Sequence, residues 1–191
     1  MNTELSLKWM HLFNEKIQAN KDYLSELDTP IGDGDHGGNM ARGMSAVIEN
    51  LDEKNFETPA DVFKVVSMQL LSKVGGASGP LYGSAFMGIA KSLQSSDSIT
   101  DAIAAGLEMI QKRGKAEVGE KTMVDIWTKV LEDLRNNQLS IEKIQQYVQE
   151  SADIKATKGR ASYVGERSIG HIDPGTCSSG YLFEALVEAG V

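Results

Sequence analysis

Eight stretches of this chain repeat their apolar residues at intervals of three and four, a period that fits helix and almost nothing else. Leu5, Trp9, Leu12, Phe13 and Ile17 form one stripe, and Met40, Met44, Val47, Ile48 and Leu51 a second. Val62, Val65, Val66 and Leu70 follow Pro59, which suits a first helical turn. Tyr82, Phe86, Ile89, Ala90 and Leu93 make a fourth stripe. Ile99, Ala102, Ile103, Leu107 and Ile110 make a fifth, behind Ser98 as a capping residue. Met123, Ile126, Trp127, Val130, Leu131 and Leu134 give a sixth, and Ile141, Ile144, Tyr147 and Val148, capped by Ser140, a seventh. Tyr181, Leu182, Ala185, Leu186 and Ala189 give the eighth. No segment alternates apolar and polar residues between turn signals, as a strand would. The expectation is an all-α fold, an antiparallel bundle or barrel of about eight helices. It forms a single domain over residues 1–191, long enough to bury its own core.

Glycine is unevenly placed. It gathers between helices, in Gly32–Gly38, Gly75–Gly83, Gly114–Gly119 and Gly159–Gly175. Glycine in such loops lets the backbone turn with positive φ and approach a ligand closely. These loops follow the first, third, fifth and seventh helices. In an up-and-down arrangement they meet at one end, which predicts one site built from all four.

The first loop carries the strongest chemistry. Asp28, Asp33 and Asp35 lie within eight residues, among Gly32, Gly34, Gly37, Gly38 and His36. Carboxylates this close repel one another unless a cation sits among them. Oxygen ligands favour Mg²⁺ or Ca²⁺ over Zn²⁺. An ordinary acidic turn is the lesser reading, given three aspartates among glycines and a histidine, and a calcium EF-hand ranks low for want of a glutamate at the twelfth loop position. His36 could donate to a phosphate oxygen or be a loop histidine of no consequence. Asn39 could cap the second helix or turn toward metal or phosphate, and the backbone amides of that helix start form an anion site. The second loop, Gly75 to Ser84, is a Gly-rich run into a helix start without the ending of a Walker loop. Its Ser78 could donate to a phosphate. In the third, Thr122 reads as a helix cap and Met123 as packing, or as a wall for a base. The fourth gathers Lys158, Arg160 and Arg167 in an otherwise acidic chain, followed by Asp173-Pro174-Gly175, a turn signature.

A formal charge of −8 argues against nucleic acid as a partner, because phosphate backbones need clustered Lys and Arg. The single cysteine, Cys177, excludes an internal disulfide. No apolar stretch approaches the ~20 residues of a membrane span, and the N-terminal residues lack the pattern of a secretory signal. The cytoplasm is the expected compartment.

Taken in order, Gly-Asp-Gly-Asp-His-Gly-Gly-Asn-Met (32–40), Gly-Gly-Ala-Ser-Gly-Pro-Leu-Tyr-Gly (75–83), Gly-Glu-Lys-Thr-Met (119–123) and the run from Gly159 to Gly175 resemble the nucleotide-binding L subunits of dihydroxyacetone kinases. The resemblance implies an eight-helix barrel with ADP or ATP at one end. It implies that Asp28, Asp33 and Asp35 hold two Mg²⁺. His36, Gly37, Gly38, Asn39, Ala77 and Ser78 would line the phosphates, with Arg160 beside them. Gly114, Met123, Asp173, Pro174 and Gly175 would surround the adenosine.

The family works in two settings. One is a fused ATP-dependent kinase. The other is a separate subunit of a phosphoenolpyruvate-dependent phosphotransferase system, the expectation for residues that hold only the nucleotide domain. There a phosphohistidine carrier (the M subunit) recharges bound ADP, and the phosphoryl group passes to dihydroxyacetone on the K subunit. A fatty-acid kinase module and a non-catalytic nucleotide-binding regulator are the rival readings. No residue of the chain stands out as a catalytic base.

Overall fold

The computed structural model describes residues 1–190 and forms eight α-helices: α1 (Thr3–Asp28), α2 (His36–Asp52), α3 (Pro59–Lys73), α4 (Ser78–Ser92), α5 (Ile99–Gly114), α6 (Met123–Arg135), α7 (Ile141–Glu150) and α8 (Pro174–Ala189). Two short 3-10 segments, Ser151–Asp153 and Arg160–Ser168, lie between α7 and α8. No strand occurs among the described residues. Ser98, Thr122 and Ser140, read from the sequence as caps, perform that role. Ser98 Oγ accepts from the Asp101 N–H and Ser140 Oγ from the Lys143 N–H, while Pro59 opens α3 behind Thr58. Thr122 forms a reciprocal capping box with Asp125 at the head of α6.

One boundary moves. Asp173-Pro174-Gly175 is not a turn but the start of α8, seven residues ahead of the apolar stripe at Tyr181. Asp173 is the N-cap and Pro174 takes the first helical position, where its missing N–H has no helical partner to lose. The intervening Thr176-Cys177-Ser178-Ser179-Gly180 is polar in composition yet buried, so its helical period carries no hydrophobic mark.

Each helix packs on the next, and α8 returns to pack on α1, closing a ring. The closure is fastened from inside, where Trp9 Nε1 of α1 donates to the Leu182 carbonyl of α8 at 2.8 Å. The core is aromatic on both sides of the ring. Trp9 meets Phe63 edge-on at 5.5 Å and Phe63 stacks on Phe86 at 5.8 Å. Trp127 meets Phe183 edge-on at 5.0 Å. Such pairs contribute about 0.5–1.5 kcal/mol each beyond the area they bury.

Helices α4 and α5 approach most closely through glycine. A Cβ on Gly88 would lie 2.5 Å from the Ala105 carbonyl oxygen, and one on Gly106 would lie 3.2 Å from Ile89 Cγ1 and 3.3 Å from the Ala85 carbonyl oxygen. Backbone cannot yield as a side chain can. Gly88→Ala is therefore expected to lower stability by roughly 1–3 kcal/mol despite the better helix propensity of alanine, read as a lower urea midpoint.

Candidate functional site

The up-and-down ring sends α2, α4, α6 and α8 off from the same end, so four helix N-termini face one another there. Three adjoining hollows share their walls across this end. The largest, about 600 Å³, lies over the acidic loop and is bounded by Asp28, Asp33 and Asp35, the α2 start and the Gly75–Ser78 loop, with Arg160 and Tyr163 on its far side. A middle one of about 160 Å³ runs between His36, Ser78, Met123 and the Asp173-Pro174-Gly175 helix start. The third, about 290 Å³, is walled mostly by apolar groups, among them Pro80, Leu81, Ile110, Ala116 and Met123, with Ala77 and Gly114 at its edge. Together they form a cleft that is acidic at one end and apolar at the other.

At the acidic end, each of Asp28, Asp33 and Asp35 offers a carboxylate oxygen within 4.8 Å of the others. Asp28 closes α1, and the chain folds straight back over it. The Asp35 and His36 N–H groups donate to Asp28 Oδ2 at 3.1 and 3.4 Å. Gly32 permits the reversal, because a Cβ there would overlap the Asp28 carboxylate. Gly34 makes it with a positive φ of 75°. Partial burial pushes the Asp28 carboxyl up, against the pull of those N–H donors, and the charge of Asp33 pushes the same way. Three hard oxygens in reach of one another, with one ion pair to a cationic side chain among the described residues, fit a divalent cation of the Mg²⁺ type. That side chain is Arg160, whose Nη1 lies 2.7 Å from Asp33 Oδ2.

Beyond the carboxylates the α2 start supplies donors. The N–H groups of Gly37 and Gly38 fall in the first turn, where no helical carbonyl reaches them. The two glycines differ in why they are glycine. A Cβ on Gly37 would overlap the Lys21 carbonyl of α1, whereas one on Gly38 meets nothing within 4 Å. The missing side chain of Gly37 lets α2 nest against α1, and the fold itself makes no demand for glycine at 38. Asn39 does not cap α2, whose N-cap is Asp35. It lies one turn in, facing the cleft, and its Oδ1 accepts from Arg42 Nη2. Its amide also crowds Gly75, where a Cβ would lie 2.9 Å from Asn39 Oδ1.

His36 is buried and spans two serines, with Nδ1 3.0 Å from Ser78 Oγ and Nε2 2.9 Å from Ser178 Oγ. Burial drives its pKa down to about 4, so the ring is neutral at physiological pH. Asp173 is buried at the head of α8 and accepts from the Thr176 N–H at 2.7 Å, and its pKa rises to about 6 for the same reason of burial.

The sequence reading missed Lys121. It is 1% exposed, in left-handed backbone with φ 60°, and its ammonium donates to the carbonyls of Ser151 at 2.7 Å and Ile154 at 3.0 Å. It pins the 3-10 turn after α7 beneath the cleft, and the Ser151 hydroxyl in turn accepts from the Asp173 N–H at 3.1 Å. A lysine between a glutamate and a threonine carries no signal of this. Arg167, read as a phosphate-facing candidate, is exposed and bounds none of the three hollows, whereas Lys158 bounds two of them.

Residues 30–188 match the DAK2 domain. This chain belongs to the DAK2 domain family. Within the family it is 59% identical, over 98% of both chains, to the ADP-binding subunit DhaL of the PTS-dependent dihydroxyacetone kinase of Lactococcus lactis. It is 38% identical to the ADP-binding subunit of the PEP-dependent dihydroxyacetone kinase of Escherichia coli, over 96% of this chain and 95% of that one. Its fold matches the dihydroxyacetone kinase of C. freundii in complex with AMP-PNP and Mg²⁺ with a TM-score of 0.78 at 23% identity. The match covers 96% of this chain but 33% of that one, so this chain spans about a third of that kinase. No helix of the described residues is long and apolar enough to cross a membrane.

The two adjacent glycines should respond differently to substitution. Gly37→Ala should lower stability by about 2 kcal/mol or more, while Gly38→Ala should stay within about 0.5 kcal/mol of the parent in urea unfolding.

Proposed function

We propose that the chain is the ADP-binding subunit of a phosphoenolpyruvate-dependent dihydroxyacetone kinase. It would take a phosphoryl group from a phosphohistidine carrier (the M subunit) and pass it to dihydroxyacetone held on a partner K subunit, in the cytoplasm. The whole chain acts as one nucleotide-binding domain. The observation that carries the reading is the division of the cleft: three convergent carboxylates and unpaired helix-start amides at one end, an apolar hollow at the other. A nucleoside diphosphate with its metal ions has the same division. Similarity over nearly the whole chain to ADP-binding subunits from two bacteria supports it.

In this reading Asp28, Asp33 and Asp35 hold two Mg²⁺. The Gly37 and Gly38 amides, with His36, Asn39, Ala77 and Ser78, bind the phosphates, and Arg160 bridges from Asp33 toward them. Gly114 and Met123 shape the wall for the base, and Asp173, Pro174 and Gly175 the wall for the sugar. ADP supplies the acceptor for the phosphoryl group, and Mg²⁺ offsets the charge on its oxygens. The protein's contribution is position and charge. Asp28 is fixed by backbone donors before any ligand arrives, and Arg160 can shift between a carboxylate and a phosphate within one side-chain length. His36, neutral and buried, holds Ser78 and gives up no proton at neutral pH. No side chain of the cleft is set as a general base toward a sugar hydroxyl, so that role falls to the partner.

The reading is tested on the purified, desalted protein. One ADP per chain with Mg²⁺, resistant to exchange with labelled ATP, is the expected result. Asp33→Ala is expected to lose the bound ADP while staying folded, because Asp33 is exposed and its only ion pair is at the surface. Normal ADP content in that variant would overturn the metal assignment. Rapid exchange with ATP would instead favour an ATP-dependent kinase domain.

A further inference from the structure

A chain of hydrogen bonds leads from the cleft into the core. Ser78 Oγ meets His36 Nδ1 at 3.0 Å, His36 Nε2 meets Ser178 Oγ at 2.9 Å, and Ser178 Oγ meets the Tyr82 hydroxyl at 2.8 Å. Tyr82 meets Ser179 Oγ at 2.9 Å, and Trp127 Nε1 closes the chain on Ser179 Oγ at 3.1 Å. All but Ser78 are buried, four of them completely.

The proton positions along this chain follow from counting. An indole N–H only donates, so Ser179 accepts from Trp127. The one partner left for the Ser179 proton is Tyr82, so the Tyr82 proton turns to Ser178. A proton left without a partner in the core would be costly, which fixes this polarity. At Ser178 the direction divides. Its proton can go to the Gly175 carbonyl, 3.2 Å away, or to His36 Nε2. In the first case His36 carries its proton on Nε2, and Ser78 must donate to Nδ1. Ser78 then turns only lone pairs to the cleft. In the second case His36 carries its proton on Nδ1 and donates it to Ser78, whose own proton is free to point outward. The two arrangements differ by two hydroxyl rotations and one imidazole tautomer, with no change of charge.

We propose that His36 is a positioning residue whose tautomer is set by the cleft's ligand: a phosphate at Ser78 holds the neutral ring in its Nδ1–H form. The proposal rests on the nucleotide reading above. An anion repels the lone pairs of a Ser78 already committed to His36 and attracts the free O–H. The far end of the chain cannot give way, because the Trp127 N–H has a single direction. Recognition of the phosphate is thus registered as far inside as Ser178.

The test uses protein labelled with ¹⁵N at histidine. The sequence holds three histidines, and His11→Gln and His171→Gln assign the two others by elimination. ADP binding is measured by calorimetry in Mg²⁺ on the same nucleotide-stripped samples. With ADP bound, the His36 Nδ1 signal should be of the protonated, pyrrole type and Nε2 of the pyridine type. Ser78→Ala should still bind ADP, roughly 10-fold or more weakly, with His36 then protonated on Nε2. ADP binding to the parent protein with His36 in the Nε2–H or imidazolium form would overturn this proposal alone, as would an Nδ1–H ring in ADP-bound Ser78→Ala. Failure of the parent protein to bind ADP would overturn the nucleotide reading and this proposal together.

Discussion

Helix starts carry N–H groups that the helix cannot satisfy, and this ring gathers four such starts at one end. Everything distinctive about the molecule answers that constraint. Aligned N-termini make a positive field equivalent to a fraction of a charge each. Left alone, it would disfavour the crowding of α2, α4, α6 and α8. The chain meets it with acid at three of the four starts. Asp35 opens α2, the Thr122–Asp125 box opens α6 and Asp173 opens α8, and Asp28 reaches across to take two N–H groups at the head of α2. The α4 start lacks any side-chain cap of its own and faces the cleft directly. A chain with net charge −8 thus presents a site suited to an anion, because the field there comes from backbone and not from composition.

The glycines show how finely such a site is divided between fold and ligand. Gly32 and Gly37 are fixed by intramolecular overlap, with the Asp28 carboxylate and the Lys21 carbonyl respectively, and Gly34 by its φ. Gly38 satisfies no such demand. The same residue type, three positions apart or adjacent, serves chain reversal, helix nesting and open approach. Only coordinates separate these, since the sequence shows a run of glycines and no more.

Much was legible beforehand. The helix number, the caps at Ser98, Thr122 and Ser140, the meeting of the four glycine loops and the convergence of Asp28, Asp33 and Asp35 all follow from local pattern, because apolar period and cap chemistry are local properties. The α8 start was misread because Thr176 to Gly180 is buried through hydroxyls and glycine, which carry no hydrophobic period. Lys121 was overlooked because a buried ammonium is satisfied by three carbonyls distant in sequence. Tyr82 was read as plain core. It is core, yet its hydroxyl joins the Ser178 and Ser179 pair, and nothing in the spacing announces that link.

The return of α8 to α1 has a further consequence. Trp9 and Leu182 are 173 residues apart, so the ring closes through a contact of very long sequence separation. The cleft draws its walls from both arms of that ring and has no existence in a half-closed form. Whatever occupies the cleft therefore acts as a clasp on the entire circle. Its binding free energy is drawn only from closed molecules, so occupancy sets how rarely the circle opens. Retention of a ligand in the cleft and persistence of the fold then become a single quantity.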